Sequence, residues 1–520
     1  MTETPTCDSV DVQVDASQRA LPPPPPPPPP QPQSACGQLL VVVKQLTALF
    51  HESSAGSLYT LFLMFMAFSV SNLCMYVVPQ VSQVLEQDLH FGDGQGGGVE
   101  YYVLAGSVFV VIFTIAGIPM GILGDRYDRR RMLAVAVASW SAITMASAAC
   151  QAYWQLVLCR VGVAIAMAAC APFAASILAD RFVQNRSAAM SVFYWGIYFG
   201  YSASYAVGNL LSEPIGWRWS FVVAGSPGLI LAALIAWTIH EPVRGEAERA
   251  PAAQPRLHRA ASSEKDQEES ALLGNDYGYQ TLSDNPPVPQ QLNRGQDTGV
   301  YTVRESLIRF CTSKPALVLC AAGAVRNSAG YVWSFNTNLF YKNVRHLSPD
   351  QIAAWMSWTP LVSGSIGTML GGALADWFGL RYGGRSRVWL LVASQVLATP
   401  LAAGALWLDY PWCFVVQLPA NIFSEMWMGV TMALVVDLFP IRMRSFAVAL
   451  YFFIIQNIGG NATVLVDPLQ YNAGLGLQDA LLVLFPGTYL LSAVLFALAY
   501  WPLKQEDGRR QSDTRPLLSS

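Results

Sequence analysis

Charge is what this sequence has least of. Only 12% of its 520 residues are Asp, Glu, Lys or Arg, about half the roughly 25% of a soluble domain. So little charge cannot clothe a water-facing surface, and lipid is the expected solvent. The nine cysteines form no CxxC pair and no zinc spacing, which excludes a metal finger and leaves them as packing residues in apolar runs. The sequence shows no nucleophile and base pair, nucleotide loop or metal cluster. No catalytic residue, metal or cofactor is therefore expected, nor an enzyme, and nucleic acid is not an expected partner. The first 40 residues lack the basic start, apolar core and cleavage site of a secretory signal.

What the sequence has is apolar length, with 53% hydrophobic residues arranged in two blocks. Residues 1–56 carry the run Pro22 to Pro30 and read as a disordered, solvated polyproline II arm, with an SH3-like partner as the alternative. Residues 57–240 form the first apolar block, 241–312 a polar, largely disordered linker, 313–502 the second block and 503–520 a tail. A bilayer core about 30 Å thick needs about 20 apolar residues in a helix. Twelve stretches qualify: 57–79, 101–123, 132–152, 154–179, 188–210 and 219–238, then 316–340, 352–375, 388–408, 414–436, 446–466 and 480–501. The fold class is all-α, a polytopic membrane protein with two bundles of six transmembrane helices.

Arginine gives the sidedness. Arg126, Arg129, Arg130 and Arg131 follow span 2, Arg181 and Arg186 span 4, Arg381, Arg385 and Arg387 span 8, and Arg442 and Arg444 span 10. The loops on the other side hold mainly Arg218, Lys342 and Arg345. By the positive-inside rule both termini and the linker are expected to be cytosolic. The halves also repeat one another. Ala179-Asp180-Arg181-Phe182 matches Val436-Asp437-Leu438-Phe439, and Gly121-Ile122-Leu123-Gly124-Asp125 matches Gly372-Ala373-Leu374-Ala375-Asp376. Repeats of this kind suggest two bundles rocking about a central site.

The run Gly121-Ile122-Leu123-Gly124-Asp125-Arg126-Tyr127-Asp128-Arg129-Arg130-Arg131 resembles the signature loop of the major facilitator superfamily, with Asp128 in place of the usual second glycine. The resemblance implies a charge network that latches one conformation, through Asp125, Arg129, Asp180 and Arg186, with Asp376, Asp437 and Arg444 at the repeated positions. Within the superfamily, Gly124-Asp125-Arg126-Tyr127, the spacing from Arg160 to Asp180, and Phe193-Tyr194 resemble the Spinster family of lysolipid and sphingolipid transporters. That family commonly carries an Asp-Arg in the first helix and a Glu in the fourth. The matching positions here are Met75, Tyr76 and Met167.

Three ionisable residues fall inside the twelve spans: Arg160 in span 4, Arg326 in span 7 and Glu425 in span 10. A charge at the bilayer centre costs about 2.5–3.5 kcal/mol even on lenient scales, so such residues usually face a cavity and a partner. Arg326 and Glu425 both lie about 15 Å deep, near the midplane. The resemblance places all three on helices that line the central cavity. They are the candidate substrate and coupling residues, Glu425 as the protonatable group and the arginines as the counter-charge for an anionic head group. The alternatives are a structural Arg326–Glu425 ion pair and an Arg160 that only braces span 4. Tyr194, Tyr198, Tyr331, Trp333 and Trp427 are aromatic candidates for packing a lipid chain, or else core and interface residues.

The soluble parts carry addresses. Glu268-Glu269-Ser270-Ala271-Leu272-Leu273 and Asp513-Thr514-Arg515-Pro516-Leu517-Leu518 resemble acidic dileucine signals, and Tyr279-Gln280-Thr281-Leu282 a tyrosine-based one. Clathrin adaptors are then expected partners, beside membrane lipids and the substrate itself. A lysosomal or late endosomal membrane is favoured over the plasma membrane. The expected function is a secondary transporter moving an amphipathic anion such as a lysolipid. The alternatives are a transporter of small organic anions or sugars and, given Met75 and Met167, a non-transporting sensor or scaffold. Replacing all four leucines (Leu272→Ala, Leu273→Ala, Leu517→Ala, Leu518→Ala) is expected to move the protein to the cell surface. Persistent overlap with a lysosomal marker in fluorescence microscopy is the contrary outcome.

Overall fold

The computed structural model describes residues 44, 46–51, 53–92, 98–182, 186–240, 303–440 and 443–514. Every described element is helical. Inside lipid each backbone N–H and C=O must be satisfied within its own segment, and a helix does this. The membrane helices of the first half are α1 (Ala55–Leu89), α2 (Val99–Tyr102 running through a π turn into Val108–Arg126), α3 (Arg129–Ala146), α4 (Tyr153–Met167 and Cys170–Arg181), α5 (Arg186–Leu211) and α6 (Trp217–Thr238). Those of the second half are α7 (Lys314–Asn343), α8 (Pro349–Met356 and Thr359–Tyr382), α9 (Arg387–Trp407), α10 (Trp412–Glu425 and Trp427–Leu438), α11 (Arg444–Asn461, extended by Val466–Tyr471) and α12 (Leu477–Leu484 and Pro486–Thr514).

Length and hydropathy alone pick out nine crossing helices among the described residues, or ten with the bent pair Val303–Thr312 and Lys314–Asn343. One of the nine, Ala188–Thr238, has 51 residues and would be about 77 Å long, more than twice the bilayer core. Its packing on α1 shows that it is two spans. Gly196, Gly200 and Gly208 close on α1 at Phe65, Ser69 and Gln80 in rising order. Beyond the turn the order falls, because the Ala224 carbonyl accepts from the Cys74 thiol and Gly228 closes on Val70. The chain reverses between α5 and α6 through Ser212–Gly216, where Gly216 adopts φ of 102°, a backbone conformation open to glycine. Thr359–Tyr382 is helical over 24 residues and is the eighth span of the sequence reading, although it is not among the nine.

Two stretches differ from expectation. Residues 46–51 are helical and Leu49 is fully buried, inside the stretch read as a disordered arm. The stretch read as linker ends in the helix Val303–Thr312, whose Phe310 is fully buried and stacks on Phe439.

The core falls into two apolar clusters. One runs through the first half and takes in Ala329–Tyr341 of α7, Phe414–Ala420 of α10 and Leu481–Tyr489 of α12. The other holds Phe310–Ala324, Met426–Leu434 and Phe496–Leu503. The division therefore crosses α7 between residues 324 and 329 and α10 between 420 and 426. The first half is fastened to the second on the side of the larger cluster. Tyr101 donates to the Phe335 carbonyl at 2.6 Å, Tyr102 to Asn336 Oδ1 at 2.7 Å, and Asn338 to the Gln80 carbonyl at 2.8 Å.

Close helix approach makes the bundle sensitive to added bulk. A Cβ on Gly228 would overlap the Ser141 side chain of α3, whereas one on Gly117 would meet nothing. Gly228→Val is expected to lose about 1–3 kcal/mol through overpacking, and Gly117→Ala little. Thermal melting in detergent, followed by size-exclusion chromatography, distinguishes them; equal melting temperatures contradict the packing account.

Candidate functional site

The site lies where the two apolar clusters meet. α10 is broken at Met426, between Glu425 and Trp427, and the carbonyl of Ser424 lies just before the break. Arg326 of α7 reaches that carbonyl with two donors, Nε at 3.2 Å and Nη2 at 2.6 Å. Its Nη2 also donates to Glu425 Oε1 at 3.2 Å. The guanidinium lies over the rings of Trp427, 5.2 Å away, and Tyr489, 4.7 Å away. The second carboxylate oxygen, Glu425 Oε2, accepts from the hydroxyl of Tyr198, on α5 of the first half, at 3.0 Å. Tyr198 fits there because Gly364 of α8 has no side chain: a Cβ would collide with the tyrosine ring.

Arg326 and Glu425, which residue counts place at one depth, are thus in direct contact. Their side-chain exposures are 2% and 27%, so the carboxylate is the accessible member. Polar groups continue along α7. Asn327 donates to Gln456 Oε1 at 2.9 Å and Tyr331 to the same oxygen at 3.1 Å. Of the aromatic candidates, Trp333 is buried and stacks on Phe485, in the fastened core, while Tyr194 is 44% exposed.

Arg160 is held elsewhere. Pro79 lies inside α1 and has no N–H for the carbonyl of Met75 four residues earlier. Arg160 donates to that carbonyl at 3.1 Å and to the Cys74 carbonyl at 3.2 Å, with its guanidinium 4.5 Å from the Phe109 ring centre. It is 2% exposed and ties α4 to the proline turn of α1. Its contacts are not shared with Arg326 or Glu425, so it stands apart from the pair at the midplane.

At the arginine-rich end, Arg129 of α3 pairs with Asp180 of α4 at 2.7 Å and also donates to Ser176 at 2.6 Å. In the second half Asp437 and Asp376 face Arg387, at 2.7 Å and 4.0 Å. Arg444 donates to the Phe439 carbonyl at 3.3 Å. Each of these pairs stays within its own half. Asp128, the departure from the signature, caps α3 by accepting from the Arg131 N–H at 3.0 Å. The side chains of Asp125, Arg186 and Asp513 lie outside the described residues, as do Glu268, Leu272, Leu273, Tyr279, Leu282, Leu517 and Leu518.

Sequence reasoning missed four features. Glu86 is 1% exposed within α1, beyond the expected end of that span at residue 79, because polar Gln80 and Gln83 obscured the helix's continuation. Arg387 was counted as a topology signal, but like Arg129 it opens its helix and pairs with the repeated Asp, Asp437 for Asp180. The Tyr198 bridge and the Ser424 carbonyl have no sequence signal, since both depend on where α10 breaks. Among the described residues no group of His, Cys, Asp or Glu comes together to hold a metal ion.

An all-helical molecule with two repeated halves, joined around a buried charge pair, has the architecture of a membrane transporter. The chain matches the family model of the Major Facilitator Superfamily over residues 60–463, and it belongs to that family. It resembles the Spinster proteins within it. Protein spinster homolog 1 of Bos taurus is 31% identical over 178 residues, 34% of this chain and 33% of that protein. Sphingosine-1-phosphate transporter SPNS2 of Danio rerio is 28% identical over 268 residues, 49% of this chain and 52% of that protein. The match thus spans about a third to a half of these curated relatives. The fold is also that of a bacterial homolog of the human lysosomal transporter Spinster, solved in an inward-facing, occupied conformation. That structure has a TM-score of 0.63 and 18% identity, over 88% of this chain and 97% of the other.

Arg160→Met is expected to leave the Met75 carbonyl without its donor, at about 1–3 kcal/mol for the orphaned group. A lower melting temperature with little change in substrate affinity checks this. An unchanged melting temperature with lost binding would instead place Arg160 in the substrate site.

Proposed function

We propose that this protein is a secondary active transporter that moves an amphipathic anion, such as a lysolipid, by alternating access, with Glu425 as the proton-coupling group. The observation that carries the reading is the position of Glu425. One carboxylate oxygen is held by Arg326 of the second half and the other by Tyr198 of the first. A change at that carboxylate therefore acts on both halves at once. The resemblance to a protein named as a sphingosine-1-phosphate transporter supports the substrate class.

The coupling follows from the charge. With Glu425 ionised the pair is neutral and Arg326 is occupied. An anion arriving alone would leave the buried site one charge negative, which is costly in low dielectric. A proton arriving with it neutralises Glu425, weakens its hold on Arg326 and frees the guanidinium for phosphate or carboxylate. Proton and anion then travel together. The apolar and aromatic surroundings take the chain of the substrate. The arginine-rich end faces the cytosol in this reading, the end fastened by Tyr101, Tyr102 and Asn338 faces the lumen, and the dileucine strings favour an endolysosomal membrane.

Transport in proteoliposomes across a pH series tests it. Arg326→Met alone is expected to impair folding or transport, by about 3–5 kcal/mol where an ionised survivor stays buried. Glu425→Gln is expected to permit substrate exchange while abolishing pH dependence. Arg326→Met combined with Glu425→Met is expected to recover expression but not activity. Persistence of wild-type pH dependence in Glu425→Gln ends the coupling proposal, and recovery of full transport in the double variant makes the pair merely structural.

A further inference from the structure

The helix Val303–Thr312 lies at 79° to α7, which begins two residues later at Lys314. Since α7 crosses the bilayer, a helix so bent runs along the membrane plane. Its depth is fixed by Phe310, which is fully buried and stacks on Phe439 with ring centres 5.4 Å apart. Phe439 directly follows α10, at the end marked by the Asp437–Arg387 pair, so the helix sits at the edge of the apolar belt. Around its circumference, at 100° per residue, three faces follow in turn. Ser306 and Phe310 are buried against the protein. Val303, Leu307, Ile308 and Cys311 form an adjoining exposed apolar face, with Val303 73%, Leu307 43% and Ile308 51% exposed. Glu305, Arg309 and Thr312 make up the remaining polar face.

We propose that this helix is an interfacial element whose Leu307–Ile308 face docks into the acyl and headgroup boundary of the phospholipid leaflet. Such helices bury their apolar face roughly 5–10 Å into that boundary. Arg304, placed between the apolar residues, carries its charge outward to the phosphates along its own aliphatic stem. The helix connects the start of α7, which bears Arg326, to the end of α10, which bears Glu425. The leaflet therefore holds the outer ends of both charge-bearing helices. This does not depend on what the protein transports.

Depth measurement on the full chain tests the proposal. Single-cysteine variants Leu307→Cys, Ile308→Cys and Arg309→Cys, each in a background whose nine native cysteines, Cys311 included, are replaced by serine or alanine, are labelled with an environment-sensitive fluorophore in vesicles of phosphatidylcholine and phosphatidylglycerol. Spin-labelled lipid is expected to quench the fluorophores at positions 307 and 308 several-fold more than at 309, and aqueous iodide to quench the one at 309 more. Iodide quenching equal at all three positions overturns the docking. So does shielding of 307 and 308 from both quenchers, which would mean that protein, such as the 241–302 segment, covers the face. Added Ile308→Glu is expected to bring the lipid quenching at 307 down to the level at 309, and unchanged quenching there would likewise contradict lipid docking.

Discussion

A backbone carbonyl that loses its helical partner inside a bilayer has no water to turn to, and this molecule answers that constraint with arginine. Pro79 deprives the Met75 carbonyl of a donor in α1, and Arg160 supplies one from α4. The interruption of α10 sets the Ser424 carbonyl beside α7, and Arg326 supplies two. A guanidinium suits both places because its forked donors can serve a carbonyl and a second acceptor while its flat face rests on aromatic rings. The two buried cations are thus parts of the helix geometry before they are anything else.

The two sites diverge in what remains after the carbonyls are served. Arg160 gives its two terminal nitrogens to two carbonyls of α1 and rests on the Phe109 face, and α1 and α4 are locked at the turn. Arg326 has a carboxylate as well, and that carboxylate looks both outward and across to the other half. A charge that can be neutralised at a seam between two apolar clusters is suited to a switch. A charge sealed against carbonyls is suited to a joint.

The sequence made most of the architecture legible, because a bilayer imposes length and apolarity on every span and arginine on one side. It also placed Arg326 and Glu425 at one depth, which follows from residue counts alone, while their contact needed the packing of α7 on α10. It did not show that Arg160 belonged to α1, because that depends on a proline effect four residues upstream of Pro79 and on which face α4 presents. It placed the end of α1 too early, since hydropathy falls at Gln80 while the backbone continues to Leu89. The Tyr198 bridge was out of reach for a different reason: it needs the absent side chain of Gly364 and contact between the halves, and neither leaves a periodic trace.

The two ends of the molecule differ in what joins the halves. At one end the halves are joined by neutral groups, the hydroxyls of Tyr101 and Tyr102 and the amide of Asn338, given to carbonyl oxygens, and by the charge pair Lys342–Glu213 at 3.8 Å. At the other lie charge pairs such as Arg387–Asp437, with the Asp437 side chain 56% exposed. Dissolved ions screen exposed charges over roughly 8–10 Å at physiological strength and leave neutral hydrogen bonds nearly untouched. Ionic strength therefore acts on charge pairs at both ends, Arg387–Asp437 at one and Arg218–Asp88 and Lys342–Glu213 at the other, while the hydrogen bonds of Tyr101, Tyr102 and Asn338 hold the halves together whatever the salt.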